Sequence, residues 1–172
     1  MTGIIHGLNT YMPIIAGVAL VDAIEALGAR ALLKRPNDVV SRAGRKIAGT
    51  IIEAIGDIML IGIGVNVNNS IPPKIRDLAV SLKELLGREV DRMSLLTDIR
   101  GNIYRYLHNP FSAIERRRQR DYLKNKRVSI RLREKKIEGI ARGIDDEGFL
   151  LLETERGLER IVYALKVEEV VE

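Results

Sequence analysis

The stretch Leu33-Lys34-Arg35-Pro36-Asn37-Asp38-Val39-Val40, followed by Gly44-Arg45-Lys46-Ile47-Ala48-Gly49, decides how this chain reads. It sets cations, an amide and a carboxylate at one strand-to-turn junction, and a second strand opening on a lysine follows within a few residues. Pro36 ends the first strand, and Asn37-Asp38 are turn formers. With Asn37 serving the turn, the Asp38 carboxylate is not needed for it, and it sits beside Lys34 and Arg35. Such a grouping suits an anionic, phosphate-bearing ligand; a plain turn is the competing reading. Lys46 opens a strand of small residues in which Gly49 leaves room for a backbone or ligand to come close.

The next informative run is Gly62-Ile63-Gly64-Val65-Asn66-Val67-Asn68. Glycines at alternate positions remove two side chains from one face of a strand. That face is either a flat seat for an adenine or ribose, with Asn66 supplying an amide, or a surface crossed closely by a helix. The spacing fits neither the phosphate-loop nor the dinucleotide fingerprint. Residues 47–54 and 58–67 read as a hairpin about Gly56-Asp57, the second run suited to the centre of a sheet.

Upstream, residues 2–7 read as a short strand and Asn9-Thr10 as a turn. Pro13 then opens a helix that Gly28 ends, and residues 29–34 form a strand. Downstream, Ser81 starts a short helix stopped by Gly87. Asp91 caps a long one with Leu95, Leu96, Ile99, Ile103, Tyr104 and Leu107 on one face. Asn109-Pro110 breaks it, and residues 111–123 form a last helix. After Asn125 the period changes to two, and about five short strands follow, the density of a small barrel. The expected class is α/β (α+β), a mixed sheet with helices over 1–123 followed by a small β-barrel over 126–172.

Composition narrows the function. There is no cysteine, so disulfides and thiolate metal sites are excluded, and two histidines make a His-rich metal site improbable; no metal ligands are assigned. No apolar run approaches the length of a membrane span and no signal peptide is evident, so a cytoplasmic protein without membrane association is expected. The 30% charged content leans toward a thermophile-like surface. The net charge of +5 is concentrated in Ser112–Lys136, with eleven cationic residues against three acids. A solvated face is the expected reading. The rival is a non-catalytic module, or an adaptor, that binds nucleic acid or an acidic protein through this window. Nucleic acid is disfavoured because Tyr122 is the one aromatic there. His6 and His108 fall in no cluster and read as structural or surface residues.

The order of Lys34-Arg35-Pro36-Asn37-Asp38-Val39, Arg45-Lys46-Ile47-Ala48-Gly49 and Gly62-Ile63-Gly64-Val65-Asn66 resembles the central motifs of biotin protein ligases. The resemblance extends to Pro13–Gly28, to Ser81–Val90, and to Gly139–Gly148, which is similar to the ligases' C-terminal SH3-like domain. It implies a catalytic part related to class II aminoacyl-tRNA synthetase cores. It also implies biotin and ATP as substrates with Mg2+, activation to biotinyl-5′-AMP, and transfer to a lysine of a biotin carboxyl carrier protein. Carried over residue by residue, it makes Lys46 and Asp38 catalytic. Lys34, Arg35, Asn37, Gly49, Gly62, Gly64 and Asn66 would bind substrate with Lys46, the lysine reaching the biotin carboxylate and the activated phosphate.

Three departures stand out. Arg35 occupies the position of the family's tryptophan. The glycine- and arginine-rich loop that folds over biotin and the phosphates has no counterpart, and Arg42-Ala43-Gly44-Arg45 does not replace it. The last strand reads Val167-Glu168-Glu169-Val170-Val171 where many ligases carry an arginine. The chain is accordingly expected to hold the back half of the site and to be inactive alone. Its expected partners are a separate N-terminal ligase chain, the carrier protein, and a second copy in a homodimer.

Overall fold

The computed structural model describes residues 3–56, 58–132, 136–162 and 166–170, with side chains from Tyr11 onward apart from that of Lys166. Helix α1 (Gly3–Ala26) organises the first part. The expected strand over 2–7 and turn at Asn9-Thr10 are not found: the helix runs from Gly3 and Pro13 lies inside it. A short apolar run such as Ile4-Ile5 carries no period that separates strand from helix. From Met12 on, the helix is buried nearly all round, with Ile15, Val18, Leu20, Val21 and Ile24 closed to solvent, as befits the centre of a core.

One side of α1 packs on a four-stranded sheet, the other on α3 (Arg92–His108) and α4 (Pro110–Gln119). The sheet runs in the order β1 (Leu32–Lys34), β2 (Asp38–Val40), β3 (Lys46–Ile55), β4 (Ile58–Val65). The strand pairings within it are antiparallel, and isolated parallel bridges join Leu33 of β1 to Asp121 and Lys46 of β3 to Ala79. β4 closes the order at one end among the described residues, so its expected central place is corrected. Its side chains alternate. Met59, Ile61, Ile63 and Val65 pack against the α1 core, while Ile58, Leu60, Gly62 and Gly64 face outward. One buried face is all an antiparallel sheet requires.

The helix caps follow the sequence signals. The Ser81 hydroxyl accepts from the Glu84 amide in a capping box before α2 (Leu82–Leu86), and Asp91 accepts from the Met93 amide before α3. Leu95, Ile99 and Tyr106 are buried, but Leu96 and Tyr104 are exposed. The single face expected for all six apolar positions is too wide for a helix with one buried stripe.

The second sheet holds β5 (Arg127–Arg131), β6 (Lys136–Ile144), β7 (Leu150–Thr154), β8 (Gly157–Ile161) and β9 (Lys166–Glu169), in the order β8-β7-β6-β5-β9. All its pairs are antiparallel, and among the described residues no pairing of β8 with β9 closes it, so the sheet is open where a barrel was expected. Val128, Ile130, Ala141, Leu150, Leu152 and Val167 form its small core. Ile144 instead joins the core around α1. The segment between α4 and β5 is tied to β1 by backbone: the Leu33 amide donates to Arg120 O at 2.7 Å and the Tyr122 amide to Leu33 O at 3.0 Å.

The basic window is largely answered by acids, most of them outside it. Arg116 pairs with Asp22 and Glu25, Arg120 with Glu25, Arg118 with Glu115 and Asp146, Lys126 with Glu169, and Lys136 with Glu138. Arg117 and Asp121 form a buried pair at 3.2 Å. Among the described residues no helix is long and apolar enough to cross a membrane.

Candidate functional site

The outward face of β3 and β4 forms the floor of a cleft of about 640 Å³. Register puts Gly49 opposite Gly64 and Ile51 opposite Gly62, so three glycines and one isoleucine share this floor. A side chain added at Gly64 would meet nothing within 4 Å; the space above the floor is open. Asn37, Lys46 and Asn66 stand at its margin.

Lys46 sits where β3 leaves the tight turn after β2. Its backbone is held on the opposite side, the amide donating to Leu78 O at 2.7 Å and the carbonyl accepting from Val80 N at 2.9 Å. The side chain lies over Gly49: a Cβ there would be 3.2 Å from Lys46 Cε and Nζ and from Asp38 Oδ1. Nζ meets Asp38 Oδ1 at 2.6 Å, with the lysine half exposed. Gly49 thus makes the space in which the ion pair rests. The half-exposed lysine is placed to trade that partner for an incoming anion.

The asparagines hold the margin. Asn37 Nδ2 donates to Thr50 O at 2.6 Å, and Thr50 N returns a bond to Asn37 O at 2.9 Å. This docks the Arg35–Asp38 loop onto β3. Asn66 N donates to Ile47 O at 2.9 Å, and its side-chain oxygen accepts from Asn69 Nδ2 at 3.3 Å.

The structure therefore brings Asn37, Asp38, Lys46, Gly49, Gly62, Gly64 and Asn66 together. Two sequence candidates point elsewhere. Lys34 Nζ lies 5.7 Å from the centroid of the Tyr122 ring, which Lys126 also approaches, at 3.6 Å. Arg35 Nη2 donates to Gly148 O in the turn between β6 and β7 of the second sheet. Burial and the like charge of Arg117 pull the Arg35 guanidinium down to about 10, with Asp121 and Asp145 opposing. Thr50 and Ile51 line the cleft and were not anticipated, although a period of two from Gly49 reaches Ile51. His108 Nδ1 lies 2.8 Å from Tyr104 O on α3, away from the cleft; the His6 side chain, Asp57 and residues 133–135 lie outside the described set.

Among the described residues no three His, Asp or Glu side chains converge, and Asp38 is already neutralised by Lys46. The protein groups do not build a metal cage here; a Mg2+ ion at this margin would depend on ligand phosphates for most of its oxygens.

Residues 125–164 match the family model of the biotin protein ligase C terminal domain. The bifunctional ligase/repressor BirA of Bacillus subtilis is 33% identical over 174 residues, covering 91% of this chain and 52% of that protein. The biotin–[acetyl-CoA-carboxylase] ligase of Mycobacterium tuberculosis is 33% identical over 153 residues, covering 83% of this chain and 56% of that one. The chain thus spans about half the length of the curated relatives it matches. The Aquifex aeolicus biotin protein ligase, solved with biotin and ATP, superposes with a TM-score of 0.81 at 27% identity, covering 93% of this chain and 72% of that one. In sequence and fold the chain corresponds to a C-terminal region of the biotin protein ligases.

Proposed function

We propose that the glycine-floored cleft is part of a biotin-activating site. The observation that carries this is the Lys46–Asp38 pair resting over Gly49 at the edge of a floor kept clear at Gly62 and Gly64. A flat apolar floor suits the fused rings and alkyl chain of biotin or the face of an adenine, and a lysine at its margin suits a carboxylate and phosphoryl group. In the proposed reaction a biotin carboxylate oxygen attacks the α-phosphorus of ATP and pyrophosphate leaves. Lys46 balances the charge that grows on the transferring phosphoryl oxygens, and Asp38 positions Lys46. A lysine amine of a biotin carboxyl carrier protein then attacks the acyl carbon of biotinyl-5′-AMP, and AMP leaves. Mg2+ would be carried by the phosphates.

In this reading residues 1–123 contribute to the catalytic portion and 126–172 form the second domain. The purified chain is expected to bind biotinyl-5′-AMP in this cleft. Titration of the chain with a non-hydrolysable biotinyl-5′-adenylate analogue tests the site; absence of saturable binding refutes it.

A further inference from the structure

Arg35 lies in the loop that carries Asn37 and Asp38, yet its guanidinium serves the second sheet. Nη2 donates to Gly148 O at 2.5 Å, while Nε is closed to solvent with no hydrogen-bond partner. The turn it meets is held firmly. The Asp145 carboxylate accepts from the amides of Glu147 and Phe149. Arg118 donates to Ile144 O and pairs with Asp146, and Arg160 pairs with Asp145 and Glu147. Gly148 has φ +85°, and a Cβ there would come within 2.3 Å of Ile14 Cδ1, so the turn is pressed onto α1. It is a fixed point.

On the other side of Arg35 the tether is short. Pro36 restricts the chain, Asn37 follows and bonds Thr50 O, and Asp38 holds Lys46. A side chain anchored two residues from Asn37 leaves that loop little freedom to shift. We propose that the turn Ile144–Gly148 sets the position of Asn37 and Asp38 through Arg35, which makes Arg35 a positioning residue of the cleft and not a ligand contact. Its bearing on ligand affinity rests on the reading of the cleft given above; the mechanical coupling does not.

Hydrogen–deuterium exchange on the whole chain tests this with Arg35→Met, which keeps length and loses the donor, and Arg35→Lys, which keeps a donor. The Thr50 amide, bonded to Asn37 O, reports the loop; Val18–Val21 in α1 report the global fold. Expected is a rise of about tenfold or more in Thr50 exchange for Arg35→Met, no change in α1, and near wild-type exchange for Arg35→Lys. Unchanged Thr50 exchange in Arg35→Met overturns the proposal, as does an equal rise at every amide, which would mark a general structural role. In parallel, the biotinyl-5′-adenylate analogue should bind about tenfold more weakly to Arg35→Met and close to normally to Arg35→Lys. If the wild type binds and all three proteins bind alike, the proposal falls. If the wild type does not bind, the ligand reading falls and the exchange result alone decides the coupling.

Discussion

The two sheets use glycine in opposite ways. In the second sheet a Cβ at Gly139 would lie 2.3 Å from Glu153 O, so the close approach of β6 to β7 demands glycine. In the first, a Cβ at Gly64 meets nothing, and at Gly62 the nearest atom is Ile51 O at 3.7 Å. Folding does not need those two glycines. Glycine in a strand is unfavourable for stability, so this pair, standing where a side chain would fit, is what the proposed ligand site rests on. The polar groups differ as well. The second sheet's charges pair across strands, as Arg142 does with Glu153, whereas the first sheet places Lys46 and Asp38 at the rim of an otherwise uncharged floor.

The largest expected effect separates a cleft lysine from a surface one. Lys46→Ala should weaken binding of the adenylate analogue by about a hundredfold, and Lys124→Ala should leave it unchanged. Calorimetric titration of both variants checks this, and equal effects would remove Lys46 from the site.

Gly64→Val and Gly139→Ala then probe the glycine contrast directly. Gly139→Ala should cost about 1–3 kcal/mol in urea unfolding, because Glu153 O is backbone and cannot retreat cheaply. Gly64→Val should leave stability equal or slightly raised while weakening analogue binding about tenfold. A Gly64→Val protein that binds normally would show that the open floor is unused.

The smallest effect concerns acid. Burial raises the Asp145 carboxyl, but the amide of Phe149 and the Arg160 guanidinium outweigh it, and the net pKa lies below the ordinary 3.8. A depressed folded value means the stabilisation is present above 3.8 and is lost as pH falls below it through the folded value. Asp145→Asn should therefore flatten the acid limb of stability between neutral pH and about pH 2, by roughly 1 kcal/mol or less. Thermal melts of the two proteins across that range measure it, and identical acid limbs would remove Asp145 as a contributor.

Local chemistry made much of this legible from sequence. Ser81, Gly87 and Asp91 bound helices because capping is decided within a few residues, and the strand spacing after Asn125 marked the second sheet. The period of two in 58–65 placed Gly62 and Gly64 on one face, and Lys46 with Gly49 flagged the cleft's edge. The misreadings share one cause. The apolar run at the start of α1, the end position of β4, and the outward turn of Leu96 and Tyr104 depend on what each segment packs against, which local pattern leaves open.

What the sequence determined by itself is which groups line the candidate cleft on and beside β2, β3 and β4, because neighbours in a hairpin are fixed by chain proximity and register. Only the tertiary structure decided where Lys34 and Arg35 go. Their backbone placement was readable, but their partners, Tyr122 and Gly148, come from far along the chain. The same holds for the basic window. Read as a sequence it is a block of surplus charge, yet Asp22, Glu25, Asp146 and Glu169 answer it in space, since ion pairs between distant segments form only once packing brings them within reach.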